Sequence, residues 1–303
     1  MTRIIFMGTP DYAASILEAL IEADDIEVVS VYTQPDKPVG RKGVLTPPIV
    51  KVKAESAGIG VRQPGRLSDE SAVSEVLSTP CDMIIVAAYG QILPKDILEY
   101  VPCVNLHASI LPHYRGASPI QQSLLNNDAQ SGVTAMWMDE GLDTGSIIKI
   151  ETLDIAPDEM VESLYNRLTA CAVDLTLDVI RHWDRQTATA QNDAEATHCK
   201  KILKSDGLID FGDAGDIYNR YRAYTPWPGI FLESGLKIKE MQLVETQSNG
   251  VAGEILSADK ESCVVQCACG SLRIMRVQAP SKQETSVIDY LNGKRIGCGH
   301  SLV

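Results

Sequence analysis

At 303 residues, with 45% hydrophobic and 22% charged positions, the chain is long enough for two domains, and its composition excludes disordered and collagen-like classes. No run of about 18 apolar residues is present, so no membrane-crossing helix is expected. A net charge of -13 argues against indiscriminate nucleic-acid binding and makes the distribution of charge more informative than its total.

The chain enters an apolar strand at 3–8 without the pattern of a signal peptide, and a cytoplasmic location is the expectation. Thr9 is placed to cap a helix reaching residue 21, with Pro10 at the first helical position, where its missing N–H costs nothing. A second strand follows at 26–33. Strand, tight turn, helix and strand open a Rossmann-like, doubly wound α/β sheet, mostly parallel. Gly8 stands alone here, so the GxGxxG dinucleotide fingerprint is absent.

Residues 34–48 include Pro35, Pro38, Gly40, Gly43, Pro47 and Pro48, too many breakers for regular structure. Across 34–53, Lys37, Arg41, Lys42, Lys51 and Lys53 face Asp36 alone. This basic loop stands against an acidic body: residues 1–188 carry 14 basic and 26 acidic side chains, whereas 189–303 carry 13 and 14.

Helical patterns at 49–57 and 68–77, the second with Ser68 as N-cap, lead to the apolar run 82–88, which suits a strand covered on both faces. Ligands in an open parallel sheet sit beyond the carboxyl ends of strands, so Tyr89 and Gly90 are candidate pocket residues. The next strand, 103–107, carries Asn105 and His107 on one face and Leu106 on the other. A helix at 117–126 and paired strands at 132–138 and 146–150 follow, with Asp143 in the Gly-flanked turn between the strands. A long helix at 158–183 has Val161, Leu164, Leu168, Ala172, Leu175, Val179 and Trp183 as its buried stripe.

From 185 to 204 apolar periodicity is lost, which predicts a linker. The domains are expected at 1–188 and 206–303, joined by 189–205. In the second, a short helix at 213–223 and β-like runs at 230–233, 236–244, 251–257, 263–268 and 272–277 predict a small barrel.

Eight irregularly spaced cysteines read as reduced thiols rather than a disulfide framework. Cys267, Cys269, Cys298 and His300 could make a zinc set. However, Cys263, Val265, Cys267 and Cys269 share one face of an alternating strand, where small buried thiols are the expectation, and no metal is predicted.

Asn105, His107 and Asp143 offer an amide, an imidazole and a carboxylate. Asn105 could donate to the oxygen that becomes negative in a tetrahedral intermediate, a contribution of about 3 to 4 kcal/mol. His107 could be a second donor when protonated. Asp143 could hold the ring and receive the proton that an attacking amine loses. An α-amino nucleophile, with an ordinary pKa of roughly 8, needs only a weak base, so no Ser or Cys nucleophile is required. On residue type alone, a solvated Asn-x-His, an Asp-Thr-Gly that only makes a turn and a solvated basic loop are the commoner cases. An aspartic protease lacks support, because a second carboxylate motif and an all-β pattern are missing.

The run Asn105-Leu106-His107-Ala108-Ser109-Ile110-Leu111-Pro112, followed by Tyr114-Arg115-Gly116-Ala117-Ser118-Pro119-Ile120, resembles the signature of the 10-formyltetrahydrofolate-dependent formyltransferases. Asp139-Glu140-Gly141-Leu142-Asp143-Thr144-Gly145 is similar to their second motif. Phe6-Met7-Gly8-Thr9-Pro10-Asp11, Thr33-Gln34-Pro35-Asp36 and Trp227-Pro228-Gly229 resemble those members that act on methionine-charged initiator tRNA, and the likeness covers essentially the whole chain.

The resemblance implies that Asn105, His107 and Asp143 are the catalytic trio, and that Ser109, Ile110, Leu111 and Pro112, with Tyr89 and Gly90, line the folate site. Lys37, Arg41 and Lys42 would contact the tRNA acceptor end, and an OB-like C-terminal domain would hold the acceptor arm. It also implies 10-formyltetrahydrofolate as co-substrate, initiator methionyl-tRNA as partner, no membrane association and a monomer. The expected reaction is direct attack of the methionine α-amino group on the formyl carbon. An amino-sugar nucleotide or glycinamide ribonucleotide acceptor would share the trio; the basic loop with Lys200, Lys201, Lys204, Arg220 and Arg222 favours RNA. A non-catalytic RNA-binding module would leave the trio unexplained.

Overall fold

The computed structural model describes residues 1–40, 42–185 and 187–302. The chain forms two compact units: 1–119, 130–154 and 165–199 make the first, while 120–129, 155–164 and the chain from 200 onward make the second. This division differs from the single cut expected near residue 188.

The elements up to residue 98 are β1 (Thr2–Gly8), α1 (Asp11–Glu22), β2 (Ile26–Tyr32), β3 (Lys37–Val39), β4 (Val44–Thr46), α2 (Ile49–Ser56), β5 (Val61–Arg62), α3 (Glu70–Leu77), β6 (Met83–Ala87) and α4 (Lys95–Leu98). They are followed by β7 (Cys103–His107), β8 (Arg115–Gly116), α5 (Pro119–Leu125), β9 (Gln130–Trp137), β10 (Ile147–Asp154), α6 (Val161–His182) and β11 (His198–Cys199).

Seven strands make one sheet in the order β10-β9-β7-β6-β1-β2-β5. The run from β7 to β5 is parallel, and β9 is antiparallel to both β7 and β10. Ile4, Ile5, Phe6 and Met7 of β1 and all of β6 are buried, as continuous apolar runs require when both faces of a parallel strand are covered. The chain winds from β1 through β2 to β5 on one side, then returns to β6 on the other side of β1. The order therefore reverses between β1 and β6, and ligands are expected beyond the carboxyl ends there. Gly8 ends β1 where no side chain fits: a Cβ would lie 2.5 Å from the Ala13 Cβ and 2.9 Å from the Ala87 carbonyl oxygen.

Several local expectations are corrected. Residues 34–48 are not wholly irregular, because β3 and β4 pair as an antiparallel hairpin with Pro38 opposite Leu45. An isolated two-strand ribbon has open edges, so a proline's missing donor is tolerated. Gly40 and Gly43, both at positive φ, close its turn through a Gly43 N–H to Gly40 carbonyl bond of 3.1 Å. Thr9 does not cap α1: Pro10 holds the cap position, and the Thr9 hydroxyl donates to the Tyr89 carbonyl at 3.1 Å. Likewise Asp69, not Ser68, precedes α3. Helix α6 buries Val161, Leu164, Leu168, Ala172, Leu175 and Val179 as expected, but Trp183 belongs to a following 3-10 turn and is only half-buried.

The expected linker is bonded into the first unit over much of its length. Thr189 exchanges two backbone bonds with Ile147, both 2.8 Å, and β11 pairs in parallel with β8.

The second unit contains α7 (Ala214–Tyr224), β12 (Ile230–Phe231), β13 (Lys237–Asn249), β14 (Ile255–Ala258), β15 (Cys263–Gln266), β16 (Cys269–Gln278), β17 (Thr285–Ser286) and α8 (Val287–Lys294). Its strands form an antiparallel sheet in the order β12-β13-β16-β15-β14, with β17 on β16. Among the described residues no hydrogen-bonded pairing joins β14 to β12, so the sheet is open there. Cys263 and Cys267 are buried, and burial pushes each thiol up to about 12. Cys269 lies beyond a turn, in β16. Among the described residues no group of three or more His, Cys, Asp or Glu side chains is gathered as metal ligands. Arg222, read from the sequence as a basic group favouring RNA, is buried, and its Nη2 donates to Asn127 Oδ1 at 2.8 Å and Asn219 Oδ1 at 2.7 Å. It is a packing residue of the second unit.

Candidate active site

Strand β7 sits between β6 and β9, with Asn105 opposite Val86 on one side and Met136 on the other. Tyr12 steadies it by donating its hydroxyl to the Leu106 carbonyl at 3.3 Å. Asn105 and His107 thus leave the carboxyl end of a central strand, beside the reversal of strand order.

The chain then folds back on itself. The Ser109 hydroxyl donates to the His113 carbonyl at 2.6 Å, and Thr134 Oγ1 donates to the Ser109 carbonyl at 2.6 Å while accepting from the Leu111 N–H at 3.1 Å. This return brings the Tyr114 carbonyl to His107 Nε2 at 2.9 Å. A carbonyl can only accept, which assigns a proton to Nε2 and leaves Nδ1 toward the site. His107 therefore has only Nδ1 to offer a substrate, a constraint that the two-residue spacing did not reveal.

Asp143 completes the trio. Its Oδ1 accepts from Asn105 Nδ2 at 3.3 Å, and its Oδ2 accepts the Gly116 N–H at 2.8 Å and faces His107 Nδ1 at 3.7 Å. The last distance is too long for a hydrogen bond but suits an ion pair when the ring is protonated. Asp143 has φ +56°, a left-handed conformation that costs a non-glycine residue of order 1–3 kcal/mol and persists where its surroundings over-determine it. The turn is braced from within: Asp139 Oδ1 accepts from the Gly141 N–H at 3.0 Å and the Thr144 hydroxyl at 2.6 Å.

The six residues expected to line a folate site divide by side-chain direction. Tyr89 is buried against Ile5, Met7 and Tyr32, so only its backbone can meet a ligand, and its carbonyl already accepts from Thr9 and from Gln34 Nε2 at 3.2 Å. Ser109 and Leu111 are also buried, while Ile110 and Pro112 are half-exposed and Gly90 is exposed. Exposed Ala88 at φ +46° and Gly90 at φ +80° turn the backbone outward just beyond β6. Of this set, half-exposed Ile110 and Pro112 and the outward-turned backbone at Ala88 and Gly90 are the parts that solvent reaches.

Of the basic loop, Lys51 pairs with Asp36 at 3.0 Å and Lys53 with Glu18 at 2.5 Å, so two of its five positive charges are neutralised within the first unit. Lys37 and Lys42 are exposed on the hairpin. Arg41 lies outside the described residues.

Sequence reading missed the residues that hold the trio: Gly116, Tyr114, Thr134 and Gln191. The first two lie in quoted motifs. Nothing in the polar stretch around Gln191 marked it, because its partners are more than 40 positions away.

Residues 2–180 match the family model described as Formyl transferase, and residues 201–295 match Formyl transferase, C-terminal domain. The chain is 56% identical over 300 residues to the methionyl-tRNA formyltransferase of Sulfurimonas denitrificans, covering 99% of each. It is 51% identical over 299 residues to that of a Nitratiruptor species, covering 98% of each. Among solved structures, an N-formyltransferase from Helicobacter canadensis in complex with folinic acid and dTDP-3-aminofucose aligns with a TM-score of 0.69 at 18% identity, over 92% of this chain and 100% of that one. HypX from Aquifex aeolicus aligns with a TM-score of 0.64 at 16% identity, over 99% of this chain but 49% of that one. At these identities the two structures speak to the fold alone.

Proposed function

The chain belongs to the formyl transferase family, and we propose that it moves a formyl group from 10-formyltetrahydrofolate to the α-amino group of methionine on initiator tRNA. The acceptor is inferred from relatives that match this chain end to end at more than half identity. The chemistry is carried by one observation: Asn105 Nδ2 and His107 Nδ1 converge on the two carboxylate oxygens of Asp143.

In this reading the neutral amine attacks the formyl carbon; a C–N bond forms as the carbonyl π pair moves onto oxygen. The second N–H of Asn105 stabilises that oxyanion, joined by His107 Nδ1–H when the ring is protonated. The ammonium proton passes to Asp143, directly or through water. Collapse of the intermediate re-forms the carbonyl and expels N10 of tetrahydrofolate, which takes a proton. The folate would lie along Ile110, Pro112 and the 88–90 backbone. Lys37, Arg41 and Lys42 would meet the acceptor end of the tRNA, with the unit that follows residue 200 on the acceptor arm. Such an acceptor implies work in the cytoplasm, beside translation initiation.

The test incubates the protein with 10-formyltetrahydrofolate and either methionyl initiator tRNA or an amino-sugar nucleotide, and follows formyl incorporation. Label in the tRNA-bound methionine is expected. Label in the sugar alone would overturn the acceptor assignment while leaving the chemistry in place.

A further inference from the structure

Asp143 is held at both ends. Its carboxylate takes the Gly116 N–H. Its backbone carbonyl takes an N–H from Gln191 Nε2 at 2.9 Å, and the same nitrogen donates to the Gly145 carbonyl at 2.8 Å. The other end of the Gln191 amide is fixed as well: Oε1 accepts from Arg115 Nε at 3.0 Å and Nη2 at 2.8 Å. Arg115 is itself buried, and its Nη2 also donates to Asp193 Oδ1 at 2.8 Å. Two donors on one side and an acceptor on the other are what a carboxamide offers and a carboxylate or a thioether does not.

Arg115 and Gly116 are the two residues of β8, so the relay closes a loop. The strand whose N–H holds the Asp143 carboxylate is bonded, through a guanidinium and an amide, to the Asp143 backbone. Thr197 tightens the same clasp, its hydroxyl accepting the Tyr114 N–H at 2.9 Å and its carbonyl the Arg115 N–H at 2.9 Å.

We propose that Gln191 is a positioning residue that keeps Asp143 in its left-handed conformation and aims its carboxylate between Asn105 and His107. The proposal rests on the reading of Asp143 as the group that receives the amine proton. Apart from a long contact to the Met136 sulfur at 3.9 Å, the hydrogen bonds of the Gln191 side chain go to Arg115, Asp143 and Gly145. Its removal should therefore reach the chemical step and spare substrate binding.

The test uses Gln191→Glu, which keeps the size of the side chain and its acceptor for Arg115 but turns an oxygen against two carbonyls. Gln191→Met removes the donors without adding charge and carries the same test if the first variant does not fold. In formyl transfer by the full-length enzyme, kcat is expected to fall about tenfold or more while KM for both substrates stays within about threefold. In an Asp143→Asn background, the same change should lower the residual rate by less than about twofold, since a residue acting through Asp143 has little left to perturb. The 15N signals of the His107 ring should move, and those of His182, whose ring bonds the Asp178 carbonyl, should not. Full kcat in both Gln191 variants, or undiminished losses in the Asp143→Asn background, would overturn the positioning role. Near-wild-type turnover by Asp143→Asn alone would instead sink the reading of Asp143.

Discussion

The backbone N–H of Gly116 donates to Asp143 Oδ2 at 2.8 Å, the same oxygen that faces His107 Nδ1 at 3.7 Å. Gly116 is at φ +119°, and a Cβ there would lie 2.4 Å from the Cys199 carbonyl oxygen. A backbone atom cannot rotate aside, so Gly116→Ala must open the β8–β11 pairing and withdraw the N–H from Asp143. The expected cost is about 2 to 4 kcal/mol, combining left-handed strain with the clash. A lowered melting temperature and a reduced kcat should appear together. Wild-type values for both would contradict the close approach.

Removing Asn105 or Asp143 of the trio should slow the reaction without unfolding the chain. In the proposed mechanism, Asn105→Ala deletes the oxyanion donor, and Asp143→Ala deletes the proton acceptor and the partner of the ring. Each should raise the barrier by about 2 to 4 kcal/mol with the fold intact. Circular dichroism with steady-state formyl transfer checks both halves of that statement. Undiminished turnover in Asp143→Ala would remove the residue from the mechanism.

The parts legible in sequence and those that were not differ in how far apart their partners lie. Strands β1 and β6 follow from continuous apolar runs, because burial on both faces favours that composition, whereas β7 interrupts its apolar positions with Asn105 and His107. The stripe of α6 follows instead from apolar positions that step by three and four along one face. Asn105, His107 and Asp143 could be named because they sit in local motifs. The role of Thr9 escaped, since its hydroxyl answers to Tyr89 across 80 positions. So did the tautomer of His107, fixed by the Tyr114 carbonyl, and the place of Gln191, whose bonds reach Asp143 across 48 positions. Composition can mark a polar stretch as a linker, but it cannot see a side chain that a distant turn requires.

The hairpin makes a prediction in salt. Lys37 and Lys42 project from a short ribbon that has only two strands, and each nucleic-acid phosphate that a side chain no longer neutralises lowers the slope of log K against log salt by about 0.7 to 0.9. Changing both lysines to alanine should weaken binding of methionyl initiator tRNA and flatten the slope by about 1.4 to 1.8. An unchanged slope would return the hairpin to ordinary surface.

The base of that hairpin should respond to acid. The Asp36 carboxylate accepts from Gln63 Nε2 at 2.7 Å and from Lys51 Nζ at 3.0 and 3.1 Å. The Gln63 bond first, and then the Lys51 ammonium, hold its carboxyl below the ordinary carboxylate range. A depressed carboxyl means that the unfolded chain binds the proton more readily than the folded one. The stabilisation is therefore complete above the unfolded value of about 3.9 and is lost as the pH falls through the lower folded value. Asp36→Asn removes the charge at every pH. The difference in melting temperature between wild type and Asp36→Asn should be constant from about pH 5 upward and should shrink below about pH 4. A difference that persists unchanged into acid would show that the Asp36 charge contributes nothing, and that the side chain serves only as an acceptor that asparagine replaces imperfectly.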